Sequence, residues 1–283
     1  MTKMRVEAMP AGDLYVCGFP CQPFSKAGKN LGAQDARVLP IGTVMGYIEV
    51  KRPSIVVLEN VAEFPTRHAS CFKQLLHFLQ GLGLYDVNHT ILDTCNYGVP
   101  QSRKRLYIVM IKKRLLRLPF EWPTPLACPP LSKFWDRKDK TIIKSDRIEE
   151  SLLRSKTSSA NLINAYKDIK AQYGNPKRVE AVVDIGASPK FATWRMGTTP
   201  TLTSGRCGSR GYYSTTLQRR LSMTEMMRLQ GCNPSDIDTR GTSQTALGKI
   251  VGNAMSVNVV TKVLEQALKA IAWGSPAASA GPP

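Results

Sequence analysis

Four short apolar runs, spaced by stretches of helical periodicity, constrain this chain more than any other feature. Asp13–Gly18 (DLYVCG), Ser54–Leu58 (SIVVL), Tyr85–Leu92 and Arg105–Ile111 (RLYIVMI) have the length and apolar content of buried strands. Between them, residues 41–51 and 69–82 are predicted helices; Phe72, Leu75, Leu76 and Leu79 fall on one face of the second. Strands alternating with helices predict an α/β fold whose sheet has parallel members. No run approaches the ~18 apolar residues of a membrane span. Met1 to Asp13 is too short and polar for a signal peptide.

The texture changes after about Lys112. Pro119, Pro123, Pro125, Pro129 and Pro130 interrupt the chain, and the segment up to Gln218 is basic, turn-rich and weakly periodic. Order returns at Ser222-Met223-Thr224-Glu225, a capping box that opens a helix through Gln230. Val257, Val260, Leu264, Leu268 and Ile271 mark one face of a C-terminal helix. Gly274 to Pro283 has the composition of a disordered tail. The expected division is 1–112 for a main α/β domain, 113–218 for a smaller irregular domain, 219–273 for the return to the main domain, and 274–283 for the tail.

Charge is unevenly placed. The net charge is +18, and residues 101–220 carry 25 of the 39 Lys/Arg against 9 of the 21 Asp/Glu. Such a concentration points to a polyanionic partner. The seven cysteines are odd in number and show no C-x-x-C spacing, which predicts reduced thiols in an intracellular protein and no metal site.

Three short segments hold candidate chemistry. In Gly18-Phe19-Pro20-Cys21-Gln22, a cysteine follows the carboxyl end of a predicted buried strand, where open α/β sheets place their active crevices. Most lone cysteines are small buried hydrophobes, so Cys21 alone decides little. Glu59, in Glu59-Asn60-Val61, ends the second run; it is either a capping or salt-bridged carboxylate or a carboxyl tuned to donate a proton. In Gln101-Ser102-Arg103-Lys104-Arg105, an extended backbone would point Arg103 and Arg105 to one side, able to hold an anion or a developing oxyanion. A plain basic surface run is the competing reading.

In this order, the segments resemble the DNA cytosine-5 methyltransferase family. Two further stretches strengthen the resemblance: Arg219 to Gly231 (RRLSMTEMMRLQG) and Gly252-Asn253-Ala254-Met255. Thr201-Leu202 matches the Thr-Leu pair of the family's recognition domain. The resemblance implies a partial Rossmann-like, S-adenosylmethionine-dependent sheet with a smaller target-recognition domain. It implies that Cys21 attacks carbon 6 of cytosine and that Glu59 protonates ring nitrogen 3. Arg105 would sit at the 2-carbonyl oxygen, and Arg103 would position Glu59 or the loop. Gly18, Pro20, Asn253 and Ala254 match cofactor contacts. Gln101, Thr201, Arg206 and Arg210 are the expected DNA contacts, the last two in a glycine-rich run, 205–211, expected to be a flexible, phosphate-facing loop. The family's glycine-rich cofactor motif is expected upstream of the Pro-Cys segment, where only twenty residues stand, so weak cofactor binding and no turnover are expected of this chain alone. An inactive DNA-binding relative and an RNA-directed enzyme are the alternatives; Phe19 and the long 112–218 segment favour DNA. The implied location is the nucleus of a eukaryote or the cytoplasm otherwise.

Overall fold

A computed structural model describes residues 6–19, 39–136 and 155–271; Pro20, Cys21 and the expected tail lie outside them. The chain divides into two compact units. The first comprises Met1–Leu92, Lys104–Thr124 and Thr261–Pro283, and the second Asp93–Arg103 and Pro125–Val260.

The first unit is built on a sheet of order β1-β2-β4-β3, from strands Leu14–Gly18, Ile55–Val61, Tyr85–Asp93 (β3) and Lys104–Lys112 (β4). β1 and β2 are parallel, as expected, whereas β4 runs antiparallel to β2. Six consecutive residues of β2 and six of β4 are buried, which is why both read as unbroken apolar runs. Helices α1 (Leu39–Lys51), α2 (Phe64–Arg67) and α3 (Ala69–Gly81) complete this part of the chain. Phe72, Leu75 and Leu79 of α3 join Ile48, Val56, Leu58, Ile108 and Met110 in one core. No helix among the described residues is long and apolar enough to cross a membrane.

The second unit carries a sheet of order β6-β5-β7-β8, formed by Ala181–Asp184, Trp194–Met196 (β6), Tyr212–Ser214 (β7) and Arg219–Arg220 (β8), with every described pairing antiparallel. Helix α4, Lys156–Tyr173, packs Ala165 against Val183 and Ile185 of this unit's core. Its sequence is so polar that periodicity does not predict it. Helices α5 (Ser204–Ser209), α6 (Met223–Arg228) and α7 (Gln244–Asn253) follow. The last helix, α8 (Val257–Ala270), begins in this unit and continues in the first.

The second compact unit runs on to Val260, where a return to the main domain was expected at 219; residues 93–103 and 219–260 share buried hydrogen bonds described below. Two expectations are corrected. The fully buried stripe of α8 is Val259, Val263, Ala267 and Ala270; Val257 is exposed and Val260, Leu264 and Leu268 only half-buried. Counting large side chains misplaced the face, since two of its four buried positions are small alanines. The 205–211 run is largely the helix α5, packed on α7. A Cβ built on Gly252 would lie 2.3 Å from the Ser204 nitrogen, and one on Gly248 2.4 Å from the Cys207 oxygen. These glycines permit backbone approach rather than flexibility.

Candidate active site

In the first unit, strand pairing assembles a charged pair beside an apolar core. β2 extends through Val61, so Glu59 and Asn60 lie inside the strand rather than after it, with Gly18 opposite Glu59 across the parallel register. Arg105, near the start of β4, places its Nε 3.2 Å from Glu59 Oε1, with both side chains largely buried. The contact is a charge contact without hydrogen-bond geometry. Arg105 also donates through Nη1 to the Lys104 carbonyl at 2.7 Å. A carboxylate and a guanidinium here can meet a polar heteroaromatic edge with an acceptor and a donor side by side.

Asn60, quoted in the sequence motif but given no role there, holds the approach to the Pro-Cys segment. Its Nδ2 donates to the Phe19 carbonyl at 3.0 Å, and its Oδ1 accepts from the Val61 N–H at 2.8 Å. Phe19 is itself buried edge-to-face against Phe64, ring centroids 5.8 Å apart.

Six of the seven thiols are described, and all are shifted the same way. Burial pushes Cys17 up; a hydrogen bond with Tyr15 opposes this and the Glu59 charge adds to it. Burial likewise raises Cys71, Cys128 and Cys232, lifts Cys95 to about 11, and lifts Cys207 to about 12. All six described cysteines are therefore held in the poorly nucleophilic thiol form at neutral pH. The seventh, Cys21, lies outside the described residues.

In the second unit, several residues of the sequence motifs prove to be internal fasteners. Arg103 is buried, and its guanidinium donates to the carbonyls of Leu202 at 2.6 Å and Ala254 at 2.8 Å, with a longer bond to Gly252 at 3.4 Å. It was expected to position Glu59 or the loop; the contacts described for its side chain are these three carbonyls. Gln101, expected at DNA, is fully buried: Nε2 donates to the Leu229 carbonyl and to Gln230 Oε1 (2.6 and 2.8 Å), and Oε1 accepts from the Leu202 N–H at 2.9 Å. No surface remains for a base edge. Gln230 extends the chain of bonds to the Val251 and Ala254 carbonyls. Sequence reading missed these roles because the partners lie 21 to 151 residues away.

The remaining expected DNA contacts differ in availability. Thr201 is half-buried and spends its hydroxyl on the Ser102 carbonyl at 2.7 Å. Arg206 pairs with Asp184, Nε lying 2.9 and 3.3 Å from the two carboxylate oxygens. Burial still raises the Asp184 carboxyl above its ordinary range, with Arg206 pulling the other way. Arg210, exposed and left-handed at φ 54°, ends α5 and presents its side chain outward.

Cofactor residues can be judged by which polar groups remain unspent. Ala254 has none on its backbone: its N–H donates to the Ile250 and Val251 carbonyls and its carbonyl accepts from Arg103 and Gln230. Asn253 is exposed, its amide without a partner among the described residues, and Gly18 is an exposed backbone position at the carboxyl end of β1.

Comparison with known proteins bears on the same residues. Residues 1–269 match the model of the C-5 cytosine-specific DNA methylases. The chain is 31% identical to the Type II methyltransferase M.HaeII of Haemophilus aegyptius over 257 residues, covering 90% of this chain and 73% of that one. It is 32% identical to M.NgoBI of Neisseria gonorrhoeae, covering 89% and 73%. Among solved structures, the Entamoeba histolytica methyltransferase EhMeth superposes with a TM-score of 0.59 at 17% identity, over 91% of this chain and 77% of that one. A putative DNA modification methyltransferase encoded within an Escherichia coli prophage also gives 0.59, at 19% identity over 92% and 79%. At such identities the superpositions establish a shared fold.

Proposed function

This chain belongs to the C-5 cytosine-specific DNA methylase family, and we propose that it methylates cytosine in DNA with Cys21 as nucleophile, Glu59 at ring nitrogen 3 and Arg105 at the 2-carbonyl oxygen. The observation that carries the reading is the Glu59–Arg105 pair at the carboxyl end of the parallel strands β1 and β2, just after which Cys21 follows in sequence.

The chemistry follows from the ring. Carbon 5 of cytosine becomes nucleophilic only when aromaticity is broken, so the Cys21 thiolate adds at carbon 6. Glu59 shares a proton with ring nitrogen 3, and Arg105 donates to the 2-carbonyl oxygen as charge develops there. Both act in largely desolvated surroundings, where a fixed dipole or charge is worth more than in water. Bound S-adenosylmethionine supplies the methyl group as an electrophilic carbon, and in the first unit Gly18, an exposed backbone position at the carboxyl end of β1, would contact it. Loss of the proton at carbon 5 then allows the carbon–sulfur bond to break and frees Cys21. A cytosine inside a duplex is out of reach of these side chains, so it must first leave the stack. The basic segment 112–218 would grip the phosphates, with exposed Arg210 the most available of the four expected DNA contacts. The Type II names of the similar proteins favour this reading over an RNA-directed or inactive one.

The test is covalent trapping. DNA carrying 5-fluorocytosine, incubated with S-adenosylmethionine and a version of the chain supplied with the family's glycine-rich cofactor segment, should yield a denaturation-resistant complex whose adduct maps to Cys21. Trapping by Cys21→Ala would assign the nucleophile elsewhere.

A further inference from the structure

We propose that a cavity in the second unit, lined by Arg220, holds one backbone phosphate of the bound DNA. The inference rests on the reading of DNA as the substrate above. The cavity measures about 510 Å³ and lies between the start of α4, the loop after β5 and the end of α5. Arg220 lines it together with the hydroxyl residues Thr157, Ser188 and Ser209; among the described residues no carboxylate does. Asp184, just before the loop, is spent on Arg206 and on the Gly186 and Ala187 N–H groups. Arg219, the neighbour on β8, has Glu225 as its counter-ion, whereas Arg220 has no carboxylate partner among the described residues. Its Nη1 donates to the Ser209 and Arg210 carbonyls at 3.1 and 3.3 Å, and its Nε is buried without a partner. Burial, and after it the Arg210 charge, press the guanidinium below its ordinary value. A half-buried cation with donors to spare is costly until an anion arrives.

The walls of the cavity are fixed before any ligand binds. Asn161, 2% exposed, donates through Nδ2 to the Ile185 and Ala187 carbonyls at 3.2 and 2.8 Å, which ties the loop to α4. The Gly186 N–H donates to the Gly211 carbonyl at 3.0 Å, and a Cβ on either glycine would lie 3.1 Å from the other's Cα. Two walls therefore meet backbone to backbone, as only glycines allow. The 18-residue helix α4 starts at the cavity, and its dipole adds positive potential there. Thr157 and Ser188 are exposed, their hydroxyls without partners among the described residues. A guanidinium and hydroxyl donors around an open space, with no acid among them, match the oxygens of a phosphate. Because the walls are already held, little ordering remains to oppose binding.

The test is a double-substitution cycle on DNA binding by the full chain. Arg220→Gln removes the cation. Ser188→Glu, at an exposed position lining the cavity, brings in a carboxylate that competes with the phosphate. Kd for a DNA duplex is measured by fluorescence anisotropy over a salt series centred near ~0.15 M, where distant charges are largely screened. The urea midpoint of each variant checks its fold. Each single substitution should weaken binding about tenfold and lower the slope of log K against log salt by about one. If both act on one bound phosphate, the double variant should bind within about threefold of the weaker single one, its slope down by about one rather than two. Separate surface charges would instead multiply toward about a hundredfold. That result, or wild-type Kd and slope in Ser188→Glu, would overturn the pocket and leave the methylation reading standing. Inorganic phosphate provides the free-anion arm. If it raised the urea midpoint of the wild type but not of Arg220→Gln, while neither substitution changed DNA binding, the cavity would belong to a free anion and the assignment to DNA would fall. No DNA binding by the wild type would overturn both readings.

Discussion

Replacing Glu225 by glutamine removes one charge at nearly constant volume from the most enclosed ion pair in the second unit. Glu225 is fully buried, and four donors converge on it. Oε1 accepts from Arg219 Nη2 at 2.6 Å and the Asp136 N–H at 2.9 Å; Oε2 accepts from Arg219 Nη1 and the Ser222 N–H, both at 2.8 Å. A glutamine can satisfy two of the four through its single oxygen, while its NH₂ faces the other two donors. Arg219, itself 5% exposed, would keep its charge after losing the Glu225 carboxylate. Two lost charge-assisted bonds at roughly 1.5–3 kcal/mol each, and the rule that breaking a buried pair costs roughly 3–5 kcal/mol, converge on a loss of about 4 kcal/mol. Urea unfolding followed by the fluorescence of Trp135 and Trp194 reads the effect. With a slope of about 2–3 kcal/mol per molar, the midpoint should drop by roughly 1.5–2 M. Asp238→Asn, which breaks the exposed Asp238–Arg240 pair, should leave it unchanged. Adding Arg219→Met to Glu225→Gln should recover part of the loss, since the stranded charge goes with it. A midpoint within about 0.3 M of wild type for Glu225→Gln would show that the pair is not the fastener the geometry makes it.

Glycine substitutions should separate close packing from helix propensity. Gly252→Ala, forced against the Ser204 and Thr203 backbone, should lose about 2 kcal/mol or more in urea unfolding. Gly42→Ala in α1, with nothing within 4 Å of the new Cβ, should gain up to about 1 kcal/mol; the same sign in both would refute the packing argument. Asp136 tests pH: burial pushes its carboxyl up, but hydrogen bonds from Ser222, Arg228 and Thr224 outweigh this and hold it below the usual range. Its stabilising contribution is therefore complete above the unfolded value of about 3.9 and is lost as pH falls through the lower folded value. Asp136→Asn should flatten the fall of the urea midpoint below about pH 4, and an unchanged slope there would count against it. Arg210→Ala should weaken DNA binding and reduce the slope of log K against log salt by about one, whereas an unaltered slope would remove Arg210 from the phosphate contacts.

How far the sequence could be read depended on the range of the interaction. The strands β2 and β4 were legible because burial on both faces leaves continuous apolar runs such as Ile55–Leu58 and Leu106–Ile111. The Ser222–Glu225 capping box was legible too, since both of its bonds close within four residues. Helix α4 escaped because its buried face includes Ser158 and Asn161, and asparagine carries no apolar signal. The 205–211 run was misread because glycine marks flexible turns and close backbone approach alike.

Sequence alone determined the identity and order of the chemical groups: Pro20-Cys21, Glu59-Asn60, Arg103 and Arg105, the capping box, and the family to which that order points. It also determined where positive charge gathers. Tertiary structure decided what most of these groups do. It brought Arg105 to Glu59, turned Arg103 and Gln101 inward onto the Leu202, Ala254 and Leu229 backbone, tied Arg206 to Asp184, and set Asn60 on the Phe19 carbonyl. The reason is physical. Apolar periodicity and end-capping are local and leave a local trace, whereas a buried polar side chain answers to whichever carbonyl or N–H the fold brings within 3 Å, and that partner can lie more than a hundred residues away.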